Sequence, residues 1–414
     1  MAHLSSRLSA HLALGALIFL FSGCSGSDGG ESWRQSRGEE TDAEFHPHHH
    51  GRDAAPSPVI ADAGTEMAPL PVAADAASDA LPSLDTAGGE TASSDTDALF
   101  DGGPASPDAD GTDRGVIPPA PVTVVVLPDT QEYTYRFLDI FPAQTRWIVE
   151  QKSARNIAAV LHVGDLIYHT ESEAEWAVAS SSMRVLDGVV PYVIVPGNHD
   201  TESNRAGPIN DHFAPVTMPW ITGTMTAGQI ENNYTVIDIG PQKWLILGLE
   251  FGPRDAVLTW ADTVLKTYPT LPTIILTHAY LAGDVRYDYA TYGASQPYYP
   301  RWYNFTPTEG INDGEDIWQK LIVSNPNVRL VLSGHLNGAG RLTSPRADSP
   351  PVHQMLSCYQ WLHFNTADDR GGSGYLRTLE FDYVKKEIRV QTYSPYLDKF
   401  LTDDENQFTV SLEI

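Results

Sequence analysis

Five apolar runs of the sequence are each followed directly by residues that can bind a metal ion. Such runs are typical of buried β-strands, and in layered α/β folds the carboxyl ends of the strands form the active-site crevice. A single Asp after a strand is commonly a turn or a helix cap, but five such endings in succession predict a metal centre. The endings are Pro128-Asp129-Thr130-Gln131, Gly164-Asp165, Gly197-Asn198-His199-Asp200, His278 and Gly334-His335-Leu336-Asn337.

The elements that must position these endings alternate between strands and amphipathic helices. Continuous apolar strands alternating with helices indicate sheets covered on both faces, hence an α/β fold. The late strands without helices indicate mixed rather than wholly parallel sheets. Helices are predicted over 141–156, 171–188, 255–267 and 313–324. Strands are predicted over 122–127, 157–163, 189–196, 233–239, 243–250, 273–278, 328–333, 352–357, 375–383 and 387–394.

Charge and composition divide the chain of 414 residues into a tether and a folded domain. The net charge of −27 argues against a protein that coats nucleic-acid phosphates, so we expect no sequence-specific nucleic-acid partner. Residues 25–120 hold 19 Asp and Glu against 4 Lys and Arg, with few aromatics. Such a segment cannot bury enough apolar surface to offset its ordering entropy. We expect a disordered acidic tether of about 50–60 Å end to end, followed by a domain over 121–414.

The N-terminus resembles a bacterial lipoprotein signal peptide over residues 1–24. Its apolar run, 12–21, is too short to span a bilayer and is typical of a secretory signal. Ser22-Gly23-Cys24 resembles the box at which signal peptidase cuts before an acylated cysteine. We therefore expect export and a lipid anchor at Cys24 in the bacterial cell envelope, which would be the protein's only membrane contact. Serine at position 25, directly after the cysteine, resembles the signal for outer-membrane sorting of lipoproteins in Gram-negative hosts. The alternatives to a lipoprotein are plain secretion and a signal segment retained as an anchor.

Other cysteine and histidine residues receive structural interpretations. If Cys24 is acylated, Cys358 has no partner for an intrachain disulfide, and we expect it to be a small buried side chain. His162 lies within a predicted strand and is expected to be structural. The tether carries histidines at 46, 48, 49 and 50, which are either a weak metal-scavenging tract or biased linker composition.

The order of the five endings resembles the calcineurin-like metallophosphoesterases, whose motifs run D-x-H, GD, GNH[DE], H and GH-x-H. The resemblance covers about 121–414. It implies a four-layer α/β/β/α sandwich with mixed β-sheets. It also implies metal-dependent hydrolysis of a phosphate mono- or diester by two divalent ions, drawn from Mn, Mg, Fe, Ca or Zn. The partner would be a phosphate-ester small molecule or a phosphorylated macromolecule.

The same resemblance implies a role for each motif residue. Asp165 bridges the two ions, and a hydroxide held between them is the nucleophile. His199 protonates the leaving oxygen, with Asp200 as its orienting partner. The ligands of the second ion are Asn198, His278 and His335. The ligands of the first ion are Asp129, Gln131 and Asn337.

The first ion departs from the family pattern, because Gln131 and Asn337 stand where the family has histidines. Its ligands would all be oxygens, which suit Mg²⁺, Ca²⁺ or Mn²⁺ better than Zn²⁺. The alternative is that the first ion is lost, leaving a mononuclear site or a non-catalytic binding lipoprotein. A third interpretation is a structural lipoprotein whose acidic tether matters more than its folded domain.

Two loops are candidates for the rim of the crevice. Segment 284–305 is rich in aromatics that could stack a sugar, a base or an aryl group, or pack against their own domain. Segment 201–232 is the second candidate. The residues proposed to contact substrate are Arg286, Arg301 and Arg341 for phosphate, and Tyr298, Tyr299 and Trp302 for stacking. Those noted in the second loop are Asn204, Arg205 and His212.

Overall fold

The computed structural model describes residues 120–205, 207–303, 305, 310–360 and 370–414. The signal peptide, Cys24, the histidine tract and the tether up to residue 119 lie outside the described residues, so those interpretations stay predictions. Within the described ranges, no helix is both long enough and apolar enough to cross a membrane.

The described residues form sixteen strands and seven α-helices. The strands are β1 (Val122–Leu127), β2 (Ile157–His162), β3 (Tyr192–Ile194), β4 (Gly223–Thr224), β5 (Asn233–Ile239), β6 (Gln242–Leu249), β7 (Thr273–Thr277), β8 (Leu281–Ala282), β9 (Val285–Arg286), β10 (Val328–Ser333), β11 (Gly338–Ser344), β12 (Val352–Cys358), β13 (Leu376–Asp382), β14 (Glu387–Ser394), β15 (Lys399–Leu401) and β16 (Gln407–Ser411). The helices are α1 (Gln131–Tyr135), α2 (Ile140–Gln151), α3 (Glu173–Arg184), α4 (Ile209–His212), α5 (Asp255–Thr267), α6 (Tyr289–Tyr292) and α7 (Gly314–Ile317), which continues as a π-helix over Trp318–Ile322.

Most of these strands belong to two seven-stranded sheets. The first sheet has the order β15-β14-β13-β1-β2-β3, and β16 also pairs with β14. In it β1, β2 and β3 are parallel, whereas β13 is antiparallel to β1. The second sheet has the order β11-β12-β10-β7-β6-β5-β4, with a parallel centre from β12 to β6 and antiparallel strands at both edges. Both sheets are mixed, as the sequence predicts.

The two sheets pack face to face and each carries helices on its outer face. The core between them joins side chains such as Val124 and Leu161 of the first sheet to Ile246, Leu276 and Leu332 of the second. Helices α2 and α3 pack on the outer face of the first sheet, and α5 and α7 pack on the outer face of the second. The α/β/β/α sandwich is therefore confirmed.

Two strands differ from the prediction in ways that bear on the site. The sequence does not predict β11, because GAGRLTS has neither an apolar run nor strict alternation. It is nevertheless paired along its length with β12, where Gly338 lies opposite Cys358. β3 is shorter than predicted, since Pro191 and Pro196 on either side of it cannot donate backbone hydrogen bonds to a sheet.

Candidate metal centre

The five predicted endings emerge from two groups of parallel strands. β1, β2 and β3 end at one edge of the first sheet, and β7 and β10 end at one edge of the second. Two contacts join these edges. His278 Nε2 lies 3.1 Å from Asp165 Oδ2, and the His335 backbone N–H donates to Asp129 Oδ2 at 3.1 Å. The fold therefore gathers residues of both sheets into one buried cluster.

Asp165 lies at the centre of this cluster. Its Oδ1 accepts a hydrogen bond from the His199 backbone N–H at 3.0 Å, while Oδ2 faces His278. Its φ of 53° is a left-handed conformation that costs a non-glycine residue about 1–3 kcal/mol. Burial by itself raises the pKa of Asp165, but His278 beside it holds that pKa below its usual range. An ionised carboxylate with its two oxygens turned to different partners is suited to bridge cations.

His278 and His335 are both oriented by main-chain carbonyls. His278 Nδ1 lies 2.8 Å from the Val163 oxygen, and His335 Nε2 lies 2.6 Å from the Tyr298 oxygen. A carbonyl only accepts, so these nitrogens carry protons and the opposite ring nitrogens are left for another partner. One ligand atom from each imidazole and one from Asp165 lie within 4.8 Å of one another. These three side chains form a candidate metal-binding triad.

Asp129 is a second buried carboxylate in the cluster, with 1% of its surface exposed. Burial raises the pKa of Asp129 to about 7, and the negative charge of Asp165 acts in the same direction. Although burial lowers the pKa of His278, Asp165 and Asp129 together raise it to about 9. Buried carboxylates are costly unless a cation compensates them. The electrostatics of the cluster therefore favour a bound metal ion.

Several buried polar atoms of the cluster lack a hydrogen-bond partner among the described residues. They are Gln131 Oε1, Asn198 Oδ1, Gln360 Oε1 and His278 Nε2. The last lies 3.1 Å from Asp165 without acceptable hydrogen-bond geometry. An unsatisfied buried group costs about 1–3 kcal/mol, and amide oxygens and imidazole nitrogens are ligands of divalent cations. The residues present therefore fit the binding of such a cation.

Two motif glycines allow the loops to approach the carboxylates closely. A Cβ on Gly197 would overlap Asp165 Oδ1, and a Cβ on Gly334 would overlap Asp129 Oδ1. Any other residue would displace the carboxylate that the neighbouring strand delivers. This steric requirement explains why glycine opens both the GNHD and the GH endings.

His199 lies half-buried beside the triad. Its Nδ1 is 2.7 Å from the Tyr168 carbonyl oxygen, so Nδ1 carries the proton and Nε2 has the lone pair when the ring is neutral. The Tyr168 ring packs against the imidazole at 5.1 Å between centroids. The sequence analysis did not identify Tyr168 as the residue that orients His199. Nothing in the sequence could have identified it, because the contact uses a main-chain carbonyl, which every residue has.

The structure corrects the expected role of Asp200. Its carboxylate accepts backbone N–H groups from Leu166 at 2.9 Å, Ile167 at 3.2 Å and Gly197 at 2.8 Å, rather than bonding the His199 ring. Burial raises the pKa of Asp200 to about 7, with Asp165 adding to the effect. Asp200 thus ties the loop after β2 to the loop after β3.

The remaining predictions about motif neighbours have mixed outcomes. Asn337 lies half-buried immediately before β11, two residues beyond His335. His162 is structural as predicted: it is within hydrogen-bond distance of Thr130 Oγ1 at 3.0 Å, and burial lowers its pKa to about 3. Cys358 is buried as predicted, whereas its lack of a disulfide stays a prediction because Cys24 lies outside the described residues.

Two of the proposed substrate contacts are structural instead. Arg286 donates to Glu315 at 2.6 Å and Gln354 at 2.8 Å, and its guanidinium stacks on Trp318. Tyr299 is fully buried and donates to Asp313 at 2.6 Å. Both predictions are wrong because the 284–305 loop turns these side chains inward, where each finds a partner within the domain.

The other rim candidates also have partners away from the cluster. These contacts are Arg301 with Asp316 at 3.0 Å, Arg341 over the Phe408 ring at 4.7 Å, Arg205 with Glu250 at 3.0 Å and His212 stacked on Trp176 at 5.1 Å. Tyr298 and Trp302 are exposed, and the Tyr298 carbonyl rather than its ring holds His335. Stacking on Tyr298 or Trp302 stays a prediction. Tyr303, which the sequence analysis did not select, lies with its ring centroid 5.6 Å from that of His335.

A family model settles the relationship of the chain to known proteins. The model of the calcineurin-like phosphoesterases matches residues 122–337, just over half of the chain and all five endings. The chain belongs to the calcineurin-like phosphoesterase family. It is thus a member of a family of metal-dependent phosphoric ester hydrolases, and the mixed-sheet sandwich is the fold expected of such a member.

One curated relative of this chain comes from Bacillus subtilis (strain 168) and is named Uncharacterized protein YvnB. The two are 32% identical over 320 residues. The alignment covers 72% of this chain and 22% of YvnB, so the chain spans about a fifth of the length of that relative.

Three solved structures to which the chain is similar come from a plant, from Plasmodium and from a bacterium. The purple acid phosphatase PPD1 of yellow lupin (Lupinus luteus) seeds is 16% identical with a TM-score of 0.43, covering 71% of this chain and 55% of that one. GAP50, the anchor in the inner membrane complex of Plasmodium, is 12% identical with a TM-score of 0.40, covering 71% and 89%. TT1561 of Thermus thermophilus is 11% identical with a TM-score of 0.34, covering 71% and 100%.

Proposed function

We propose that this phosphoesterase hydrolyses a phosphate ester at two divalent cations held around Asp165. The observation that carries the proposal is the set of buried metal-binding atoms that lack a hydrogen-bond partner among the described residues. They come from both sheets and converge on a buried, ionised carboxylate. A single cation would leave part of this set unsatisfied, whereas two cations sharing Asp165 would use the ligands on both sides of it.

The proposed ligands form two groups that meet at Asp165. The histidine half consists of Asn198, His278 and His335. The amide half consists of Asp129, Gln131 and Asn337. When bound, two cations would supply a hydroxide nucleophile at neutral pH and positive charge for the phosphoryl oxygens.

His199 is the proposed general acid. The Tyr168 carbonyl fixes the orientation of its ring, which leaves Nε2 to carry a proton to the leaving oxygen. The His199 backbone N–H donates to Asp165, so the position of the imidazole is coupled to that of the bridging carboxylate. The proposed proton donor therefore lies next to the residue that both cations would share.

The substrate and cellular location remain parts of the proposal. Phosphate monoesters, phosphate diesters and phosphorylated macromolecules all suit the chemistry of the site. We also propose that residues 1–24 are a lipoprotein signal peptide, that Cys24 anchors the chain in a bacterial envelope, and that 25–120 tethers the domain over 121–414. Incorporation of a palmitate analogue into the wild-type chain but not into Cys24→Ser tests the anchor.

A second candidate function is a non-catalytic binding protein. The observation that favours it is the amide half itself, where Gln131 and Asn337 replace the more strongly binding imidazoles. Such a protein would bind one cation in the histidine half and retain a phosphate ester without hydrolysing it.

The deciding experiment uses the full chain after removal of metals with a chelator. Mn²⁺, Mg²⁺, Ca²⁺ and Zn²⁺ are added back singly, and turnover of p-nitrophenyl phosphate and bis-p-nitrophenyl phosphate is measured beside metal stoichiometry. We expect turnover that requires metal and reaches its maximum at two ions per chain. A folded chain that binds one ion and hydrolyses neither ester would support the binding protein instead.

A further inference from the structure

A sixth strand ends at the same edge as the metal centre. β12 runs parallel to β10, with Leu330 opposite His353 and Ser333 opposite Leu356. Its carboxyl end therefore opens beside the segment that carries His335. The residues that leave β12 there are Cys358, Tyr359 and Gln360.

Gln360 points into the cluster and is only partly satisfied there. Its side chain is 5% exposed, and its Nε2 lies 3.4 Å from Asp129 Oδ2. Its Oε1 is buried and has no hydrogen-bond partner in the part of the chain that the structure describes. Gln131 Oε1 is likewise buried without a hydrogen-bond partner among the described residues, and the Gln131 residue is 2% exposed. Two unpaired amide oxygens thus accompany one buried carboxylate.

Cys358, the last residue of β12, packs against the Asp129 carboxylate. Its fully buried thiol lies beside the Asp129 side chain. The same carboxylate accepts the His335 backbone N–H at 3.1 Å. Asp129 is therefore held by the ends of both β10 and β12, and Gln360 is next to it as part of a packed arrangement.

We propose that Gln360 is a ligand of the first cation, with Oε1 supplying an oxygen to the amide half. The inference rests on the two-metal function proposed above and adds to it a residue beyond position 337, where the match to the family model ends. Gln360 compensates for the imidazoles that Gln131 and Asn337 replace. The resulting ligands are carboxylate and amide oxygens, which select Mn²⁺, Mg²⁺ or Ca²⁺ over Zn²⁺ at this position.

The test measures metal binding to the full chain rather than turnover. Mn²⁺ is titrated into the metal-free wild type and Gln360→Ala by calorimetry, and the Mn²⁺ pair is followed by the exchange-coupled signal in electron paramagnetic resonance. We expect two ions in the wild type. In Gln360→Ala the weaker site should lose about 10–100-fold in affinity, comparable to the loss of a supporting group at a metal site, and the coupled signal should disappear at matched concentrations.

Gln144→Ala is the matched control. Gln144 is also fully buried, its Nε2 donates to the carbonyls of Gly374 and Tyr375, and its Oε1 likewise lacks a partner among the described residues. Among the described residues it has no hydrogen bond to Asp129 or Asp165, so its loss should leave both Mn²⁺ affinities unchanged. If Gln144→Ala lost as much Mn²⁺ affinity as Gln360→Ala, the loss would reflect general damage to the fold, and the inference would be overturned.

Gln360→Glu guards against misfolding of the alanine variant. As a ligand, the new carboxylate should bind Mn²⁺ at least as tightly as the amide does and should keep the coupled signal. If Gln360 only donates to Asp129, the glutamate would repel that carboxylate and Mn²⁺ binding would not be retained. Loss of the weaker site in Gln360→Glu therefore contradicts the inference.

The outcomes also separate this inference from the proposed function. Two ions bound by Gln360→Ala with wild-type affinities would overturn the role of Gln360 and leave the two-metal function standing. A wild type that binds one ion would contradict the two-metal function. Gln360→Ala would still test whether Gln360 is a ligand: an unchanged Mn²⁺ affinity refutes that role, and a weakened Mn²⁺ affinity supports it. A folded wild type that binds no Mn²⁺ would refute both.

Discussion

The two proposed halves of the metal centre, the histidine half and the amide half, are built in different ways. In the histidine half, the carbonyls of Val163 and Tyr298 hold both imidazoles in one tautomer and one orientation. In the amide half, Gln131 Oε1 has no partner among the described residues, and Asp129 is a buried carboxylate with its pKa raised to about 7 by burial. Unpaired ligand atoms occur in both halves, but only in the histidine half does the main chain already orient the side chains that would bind the cation.

This difference has a thermodynamic consequence. A ligand set already fixed by the fold loses little conformational freedom on binding, so the histidine half should hold its cation more tightly. The amide half would gain from the cation chiefly because its amide oxygens acquire a partner and its buried carboxylate acquires a compensating charge. Occupancy of the amide half should therefore depend more strongly on metal concentration and on pH.

Removing Asp165 should have the largest effect, because it belongs to both halves. Asp165→Ala is expected to abolish turnover and to weaken both cations together, since the shared carboxylate holds the pair. Metal stoichiometry and turnover are measured on the same sample. A variant that still binds two ions with unchanged affinity would break the assignment of Asp165 as the bridge.

Removing His199 should lower the rate without disturbing either half. His199→Ala is expected to reduce turnover by about 10²–10⁴-fold, the usual contribution of a general acid. The loss should be larger for an alkyl phosphate than for p-nitrophenyl phosphate, whose leaving group needs less protonation. Equal losses for both esters, or altered Mn²⁺ binding, would contradict the assigned role.

Introducing imidazoles should make the amide half resemble the histidine half. The double variant Gln131→His, Asn337→His is expected to raise Zn²⁺ affinity at the weaker site by roughly tenfold or more relative to Mn²⁺, because imidazole suits Zn²⁺ better than an amide oxygen does. Competition titrations with the two metals measure the change. Gln319→His, on an exposed helical position, is the control and should alter neither affinity.

The pH dependence of stability should also distinguish the amide half. Because burial raises the pKa of Asp129 to about 7 from an ordinary value near 4, the folded metal-free protein binds a proton there that the unfolded chain releases. The contribution of Asp129 to stability is therefore present below about pH 4 and is lost as the pH rises to about 7.

Urea unfolding of the metal-free chain between pH 4 and 7 measures this loss. Saturating Mn²⁺ should reduce it, because the cation stabilises the ionised carboxylate. Asp129→Asn should make the stability fall less steeply over this range, because Asp200, whose pKa is also raised to about 7 by burial, still contributes to the fall. A metal-free profile that does not change in Asp129→Asn would show that Asp129 is already compensated.

The smallest effect is expected for an arginine that belongs to neither half. Arg301 is 43% exposed and pairs with Asp316, so Arg301→Ala should change turnover and Mn²⁺ affinity by less than about twofold. Steady-state kinetics with the monoester and the diester measure it. A selective rise in KM would restore the phosphate-binding role that the sequence suggested.

The sequence predicted the parts of the site that depend on local order along the chain. Apolar strands ending in Asp129, Asp165, Asn198, His278 and His335 required those side chains at strand termini, and the termini of parallel strands share an edge. The predictions from sequence failed for side chains that could find more than one kind of partner. Arg286 and Tyr299 carry the chemistry of a substrate contact, but their position in the folded loop gives them Glu315 and Asp313 instead.

By itself the sequence determined the layered α/β fold, the order of the metal-binding endings and the replacement of two family histidines by amides. The fold and the order of the endings follow from residue type and periodicity, which are local properties, and the two replacements follow from the resemblance to the family. Only the tertiary structure decided that the Val163, Tyr168 and Tyr298 carbonyls orient the three imidazoles, and that Gln360 lies beside Asp129 from 231 positions away. Every residue carries a carbonyl, and contacts at such separations exist only once the two sheets have packed.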